Sequence, residues 1–131
     1  MLMMPRFTQT FFLAILLLFV YTMNNTVKAD PVPKLTDSQI QQQLMRLPGW
    51  TQQNQQLQRT FIFKNFVEAI AFVNQLVEPS EQLQHHPDLL INYNKVTVTL
   101  STHDARGITQ KDFDLANMFS QIAEARTGTQ K

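Results

Sequence analysis

The sequence predicts a small α+β domain in which helices pack on one face of a four-stranded antiparallel sheet. Segments with the apolar spacing of a helix and segments with the alternation of a strand follow one another in the order α-β-β-α-β-β-α. The composition, 44% hydrophobic and 16% charged, is that of one globular domain. The element order indicates that the helices share one face of the sheet.

Residues 1–29 are set apart as a leader, and the predicted domain covers residues 30–131. Arg6 precedes an apolar run from 11 to 21, and Ala29 ends a small-x-small segment, which together are typical of a secretory signal peptide. The run is shorter than the roughly 20 apolar residues that span a bilayer. We therefore expect export, to the periplasm or outside the cell. The alternatives are an uncleaved anchor, with membrane contact through the leader alone, and a cytoplasmic protein.

The charge balance excludes several classes of protein. The chain has 11 basic and 10 acidic residues, and loss of Arg6 and Lys28 with the leader changes the formal charge from +1 to −1. No basic surface for nucleic acid is predicted. The absence of cysteine excludes disulfides, thiol catalysis and cysteine-ligated zinc. A domain of this size buries a modest core, so pairing with another subunit would stabilise it.

The first half of the domain contains two predicted helices around a hairpin. Thr36 is the predicted N-cap of the first helix, which Pro48-Gly49 ends. Two strands follow over 50–54 and 57–63, the second with nearly one-sided alternation. Asn65 caps a helix that we expect to run through about residue 78, with Pro79 breaking it and residues 80–83 forming a turn.

The second half repeats the hairpin and ends in a helix. Strands are predicted over 89–93 and 95–102, and a loop over 104–107. Thr109 with Asp112 resembles a capping box that has Asp in place of Glu. Five residues of the last helix are expected to face the core: Phe113, Ala116, Phe119, Ile122 and Ala123.

An acid–base site is predicted around the three histidines of the chain, His85, His86 and His103. Imidazole is the side chain whose unperturbed pKa permits proton transfer near neutral pH. Pro87 favours an extended backbone at His86, so the two adjacent histidines should point to opposite sides and act differently.

Three neighbouring carboxylates, those of Glu81, Asp104 and Asp112, can orient an imidazole or raise its pKa. The structural alternative is that each histidine only caps a strand. That explanation would suit a single histidine better than three histidines with neighbouring carboxylates. A zinc or iron site is the other alternative. The diverging adjacent histidines and the absence of H-x-H or H-x-x-x-H spacing argue against a metal, and none is predicted.

Over about residues 35–126 the sequence resembles the pterin-4a-carbinolamine dehydratases. The resemblance lies in Pro48-Gly49-Trp50, Leu57-x-Arg59-x-Phe61-x-Phe63, Glu81-x₃-His85-His86-Pro87, Tyr93-Asn94-x-Val96, Leu100-Ser101-Thr102-His103 and Asp112-x₂-Leu115-Ala116. The family dehydrates 4a-hydroxytetrahydropterin to quinonoid dihydropterin in tetrahydrobiopterin recycling. The resemblance implies the same reaction here, without a cofactor or metal, in a homodimer or homotetramer.

The resemblance also implies the site residues. His85, His86 and His103 correspond to catalytic histidines, with His85 and His103 as the acid–base pair and His86 mainly binding substrate. The implied substrate-binding residues are Trp50, Glu81, Pro87, Thr102, Asp104, Ala105 and Asp112. Trp50 would contribute an aromatic wall and Glu81 would support the histidines.

Two points limit the resemblance. Arg106 stands where family members usually carry a small residue, which bears on substrate preference. Pterin recycling is normally intracellular, which the predicted leader does not match. The alternative function is a non-catalytic pterin-binding or protein dimerisation module, since animal members also act as a dimerisation cofactor for a transcription factor. Retention of three histidines favours the enzyme.

Overall fold

A computed structural model describes residues 31–128, without the side chains of residues 127 and 128. The predicted leader, its cleavage after Ala29 and the domain boundary there lie outside the described residues. Within residues 31–128, no helix has the length and apolar character needed to cross a membrane.

Four helices and four strands make up the described domain. In chain order they are α1 Asp37–Leu44, β1 Thr51–Gln53, β2 Gln56–Ile62, α2 Phe66–Gln75, α3 Val77–Leu83, β3 Asp88–Asn92, β4 Lys95–Leu100 and α4 Gln110–Gly128. The predicted α+β class and the four-stranded antiparallel sheet are confirmed.

The sheet has the strand order β1-β2-β4-β3, with all neighbours antiparallel. Leu57 pairs with Leu100, and Phe61 pairs with Val96, so these residues share one face of the sheet. All four are buried. The opposite face carries polar pairs such as Thr60 and Thr97, whose hydroxyls are 2.8 Å apart. The sheet therefore has one buried apolar face and one largely polar face, as its alternation predicts.

The core lies between that apolar face and the helices. Its largest fully buried side chains include Phe72 from α2 and Phe119 from α4. Phe72 lies 4.8 Å from the ring centroid of Phe61 and 4.9 Å from that of Phe63. Four of the five residues predicted to face inward from α4 are buried, and the fifth, Ile122, packs partly buried against the core.

Helix caps follow the sequence signals. The hydroxyl of Thr36 accepts from the N–H of Gln39, whose side chain accepts from the N–H of Thr36, a complete capping box for α1. The Asn65 side chain accepts from the N–H of Glu68 at the start of α2.

The prediction was wrong about the segment after α2. The helix ends at Gln75, and residues predicted as the end of that helix and a turn form a separate helix, Val77–Leu83. Pro79 is the third residue of α3 rather than a helix end. Proline is tolerated in a first turn because the N–H that it lacks has no partner within the helix there. The chain therefore changes direction at Leu76 and continues as a helix toward the histidines.

Candidate active site

The end of α3 determines where His85 lies. Gln84 adopts the left-handed conformation, with φ 47° and ψ 46°, which ends the helix. The N–H of His85 then donates to the carbonyl of Ser80 at 3.0 Å. The Ser80 hydroxyl in turn donates to the carbonyl of Leu76 at 2.6 Å. These bonds hold the backbone of His85 against α3.

His85 contacts a buried carboxylate. Its Nε2 lies 2.6 Å from Oδ1 of Asp112, and the side chain of His85 is 10% exposed while that of Asp112 is 0% exposed. An ionised carboxylate can only accept, so this contact places the hydrogen of the neutral imidazole on Nε2. Nδ1 of His85 is then the nitrogen with a free lone pair.

The second oxygen of Asp112 is also occupied. Oδ2 accepts from the N–H of Thr109 at 2.7 Å and from the hydroxyl of Thr102 at 2.9 Å. The two threonine hydroxyls lie 2.8 Å apart. Asp112 therefore connects the first turn of α4, the segment after β4 and His85. Because hydrogen bonds to a charged acceptor hold it in place, the carboxylate is a rigid support for the imidazole.

His86 makes a different contact, on the surface. Its Nε2 lies 2.7 Å from Oε1 of Glu81, and the two side chains are 63% and 68% exposed. These residues, with Pro87, line a cavity of about 210 Å³ whose remaining lining is mostly apolar: Val73, Leu76, Val77, Ser80 and Leu89. The exposed pair contributes little to stability, but it orients the His86 ring beside an apolar surface.

His103 begins a closed four-residue turn. The N–H of Arg106 donates to the carbonyl of His103 at 3.0 Å, and the flanking residues Thr102 and Gly107 pair as an isolated bridge. Asp104 and Ala105 are the two central residues of this turn, the first exposed and the second half-buried. His103 lines a cavity of about 380 Å³, together with Asn54, Gln55, Gln56, Ser101, Thr102, Arg106 and Gly107.

The structure thus brings the predicted site residues together in two groups. His85, Asp112 and Thr102 form one hydrogen-bonded group, and Thr102 precedes His103 directly. Glu81, His86 and Pro87 form the other. The cavity at His86 and the cavity at His103 have no lining residue in common.

Trp50 lies in the core rather than at either cavity. It is 5% exposed, its ring meets Phe61 edge-on at 6.1 Å, and its Nε1–H donates to the Ser120 hydroxyl at 2.9 Å. The same hydroxyl accepts from Nη1 of Arg59 at 3.0 Å. The predicted aromatic wall is therefore an internal packing residue within this chain.

The motif residues around Trp50 have a shared structural explanation. Gly49 has φ +85°, and a Cβ at this position would lie 2.9 Å from Nε of Arg59. The guanidinium carbon of Arg59 lies 4.4 Å from the ring centroid of Phe61. Burial lowers the pKa of Arg59 from its ordinary value, while the carboxylate of Glu124 acts in the opposite direction. Glycine thus lets the chain pass close over a partly buried arginine.

Sequence reasoning missed the role of Thr109 in the site. It was predicted only as a helix cap, yet its N–H and hydroxyl hold the carboxylate that contacts His85. The T-x-x-D pattern was the available signal, because the capping carboxylate of such a box has a second oxygen free for another donor. Among the described residues, no group of three or more His, Asp or Glu side chains has an arrangement suited to a metal ion.

Comparison with known proteins identifies the protein family of this chain. The model of the pterin 4 alpha carbinolamine dehydratase family matches residues 33–122. The chain belongs to this family. A relative from Picosynechococcus sp., provisionally named pterin-4-alpha-carbinolamine dehydratase, is 61% identical over 89 residues, covering 68% of this chain and 97% of the relative.

More distant relatives in the dehydratase family agree with this assignment. A protein of Sulfolobus acidocaldarius with the same provisional name is 42% identical over 89 residues, covering 68% of this chain and 98% of the relative. A crystal structure described as a transcriptional coactivator/pterin dehydratase from Brucella melitensis is 37% identical, with a TM-score of 0.67. That match covers 69% of this chain and 98% of the crystallised chain.

Proposed function

We propose that this protein dehydrates 4a-hydroxytetrahydropterin to quinonoid dihydropterin and water, a hydro-lyase reaction of tetrahydrobiopterin recycling. Family membership supports the reaction class. The observation that carries the residue assignment is the 2.6 Å contact between His85 and the buried carboxylate of Asp112. A histidine supported in this way is suited to proton transfer, because its tautomer and orientation are already determined.

The proposed step needs an acid and a base and no electron transfer. The C4a–O bond breaks, the departing hydroxyl takes a proton and leaves as water, and a base accepts a proton from the pterin ring. His85, through Nδ1, and His103 are the proposed acid–base pair. Groups of this kind typically contribute about 10²–10⁴-fold to the rate.

The other predicted residues have supporting roles in this proposal. His86, with Glu81 and Pro87, binds the pterin ring beside the apolar lining of the smaller cavity. Asp112 acts through His85, since its carboxylate is 0% exposed and both oxygens are already hydrogen-bonded. Thr102 supports the same carboxylate, and Asp104 and Ala105 contribute the turn that carries His103.

A direct assay tests the proposal. Purified protein is added to 4a-hydroxytetrahydrobiopterin generated in situ, and the absorbance change on dehydration is followed against the uncatalysed rate. The expected result is acceleration that disappears when His85 and His103 are both replaced by alanine. A folded protein that leaves the uncatalysed rate unchanged contradicts the assignment.

The second candidate function is a non-catalytic pterin-binding or dimerisation module. It is favoured by the description of the Brucella melitensis relative as a transcriptional coactivator as well as a dehydratase. The two candidates differ in the assay above: a module of this kind binds a pterin or a second protein without accelerating dehydration. Turnover by the purified protein alone decides between them.

We also propose that the protein is a homodimer joined through the β3 edge. Strand β3 pairs with β4 on one side, and the described chain offers no strand for its other side. Its side chains Leu89, Leu90 and Ile91 are all exposed, with Leu90 at 66%. Exposed apolar edge strands favour pairing with another strand. A second copy of the chain presents the same edge, so antiparallel pairing would close the interface on itself.

A further inference from the structure

The cavity beside His103 has a positively charged, otherwise polar lining. Its volume is about 380 Å³, and amides, hydroxyls, an imidazole and the guanidinium of Arg106 surround it, with no carboxylate among the lining side chains. Asp104 belongs to the same turn as Arg106 but is not part of this lining. Such a cavity is suited to an anionic group rather than to an apolar one.

Arg106 is held at this cavity in an unfavourable backbone conformation. Its φ is +52°, a region that residues with a Cβ adopt uncommonly and that glycine adopts readily. The hydrogen bond from its N–H to the carbonyl of His103 closes the turn, so the two residues are close neighbours. Conformations of this kind cluster at ligand sites.

Lys34 does not line the cavity, but it contacts two residues that do, Gly107 and Gln55. A Cβ on Gly107 would lie 2.5 Å from Cε and 3.0 Å from Nζ of Lys34, so the lysine side chain crosses the backbone of Gly107. Its ammonium donates to Oε1 of Gln55. The segment is anchored there because the N–H of Leu35 donates to the carbonyl of Ile108 at 2.8 Å.

Neither cation forms an ion pair with a carboxylate within residues 31–128. The carboxylates of Asp112 and Glu81 contact His85 and His86 instead. Two cations next to one cavity, without a paired carboxylate, attract an anion and can bind it by charge-assisted hydrogen bonds.

We propose that this cavity binds an anionic group, a phosphate ester or a carboxylate, carried by the C6 substituent of the pterin. This inference rests on the proposed function, in which His103 is one member of the acid–base pair, and it places His103 beside C4a. In the pterin ring a single nitrogen separates C4a from C6, so a substituent on C6 starts next to the residue that acts at C4a. The substituent then extends into the cavity that His103 shares with Arg106.

Fluorescence titration of the full-length chain tests the inference without requiring turnover. Neopterin and its phosphate ester have the same fluorescent ring and differ only in the charge of the C6 substituent. We expect the phosphate ester to bind roughly three- to tenfold more tightly at low salt, because one solvent-exposed hydrogen bond has a net effect of that size. The preference should decrease as ionic strength rises. Pteroylglutamate and uncharged biopterin are then compared as competitors that displace neopterin. Tighter binding of pteroylglutamate would show that the cavity also accepts a carboxylate.

Variants at one position identify the residue responsible. Arg106→Ala and Arg106→Gly should lose most of the preference for the phosphate ester, and Arg106→Lys should keep part of it. The glycine variant relieves the positive-φ strain at this position, and circular dichroism of each variant checks that it is folded. Lys64→Ala is the matched control, because this exposed lysine follows the opposite end of β2 and its removal changes the net charge equally.

The outcomes separate this inference from the dehydratase proposal. Equal affinity of the native chain for the two pterins, failure of either to bind, or an unchanged preference in Arg106→Ala overturns the anion site. Dehydration of uncharged 4a-hydroxytetrahydrobiopterin is measured in parallel. Its absence overturns the dehydratase proposal but leaves the measured charge preference standing, whereas dehydration without any charge preference overturns only the anion site.

Discussion

At the scale of single residues, the two adjacent histidines occupy different environments. His85 is almost enclosed and contacts a carboxylate with no exposure, whereas His86 contacts an exposed carboxylate at the surface. The extended backbone expected before Pro87 separates adjacent side chains, and the contacts of the two histidines agree with that expectation. The same residue type is therefore expected to perform two tasks at neighbouring positions.

We expect the two histidines to fail differently when replaced. His85→Ala should lower kcat by about 10²-fold or more, because it removes a proton-transfer group that acts in the transition state. His86→Ala should mainly raise KM. His103→Ala should resemble His85→Ala, with less than additive loss when both are replaced. Steady-state kinetics with circular dichroism as the fold check would measure this. Wild-type turnover in all three folded variants would show that the histidines are structural.

Asp112→Asn tests whether the buried carboxylate orients His85. The amide keeps the volume but accepts weakly and can present an N–H to His85 Nε2, which disfavours the hydrogen on Nε2. We expect kcat to fall by roughly 10-fold to 100-fold with a shifted pH profile of kcat and a nearly unchanged KM. Thr109→Ser is the matched control, since it keeps both donors to the carboxylate. If Asp112→Asn changes only the unfolding free energy, the residue has no part in orienting the histidine.

At the scale of elements, turns and caps position the site more than the strands do. Gln84, in the left-handed backbone conformation, ends α3 directly before His85. Asp112 lies in the first turn of α4. The turn from His103 to Arg106 follows β4. Each functional group thus stands at the end of an element, where backbone hydrogen bonds are completed locally rather than by the sheet.

The close approach of Gly49 to Arg59 gives a prediction about stability. Gly49→Ala adds a Cβ at φ +85° and only 2.9 Å from Nε of Arg59, so we expect a loss of about 1–3 kcal/mol in the free energy of unfolding. Urea denaturation would measure it. Gly107→Ala is the control, because its Cβ would meet the end of the flexible Lys34 side chain, which can move away. Equal losses in the two variants would contradict this explanation.

The proposed β3 edge interface gives a prediction about assembly. Leu90 is the middle residue of β3, so antiparallel pairing about a two-fold axis would bring it close to the same residue of the second copy. Leu90→Lys should therefore reduce the mass measured by light scattering to that of a monomer. Ile62→Lys is matched, since Ile62 is also 66% exposed but lies on β2, inside the sheet. A native monomer, or dissociation by both variants, would rule out this edge.

At the scale of the whole molecule, the proposed leader predicts that the protein acts outside the compartment in which it is made. The motivation is Arg6, the apolar run from 11 to 21, and Ala29 before Asp30. Protein isolated from its native host should begin at Asp30 by N-terminal sequencing. Cell fractionation supplies the second measurement, and recovery of an intact Met1 in the soluble cytoplasmic fraction would contradict export.

The sequence by itself determined the class of fold, its one-sided sheet and the identity of the candidate groups. Helical and strand periodicities are local properties of the chain, so apolar residues such as Val96, Val98 and Leu100 predict the buried face before any contact is known. The histidines and carboxylates could also be identified from the sequence, because their residue types and their proximity along the chain already indicate proton transfer.

Only the tertiary structure decided which of these groups meet. The spacing of His85 and Asp112 does not predict their contact, because that contact depends on how α3 and α4 pack. The separate helix Val77–Leu83 was not predicted, because Pro79 was interpreted as the end of a helix. The same holds for Trp50, which was expected at the site and lies in the core beside Ser120. Local patterns determine elements, whereas partners distant in sequence are set by packing, which minimises exposed apolar area and leaves buried polar atoms hydrogen-bonded.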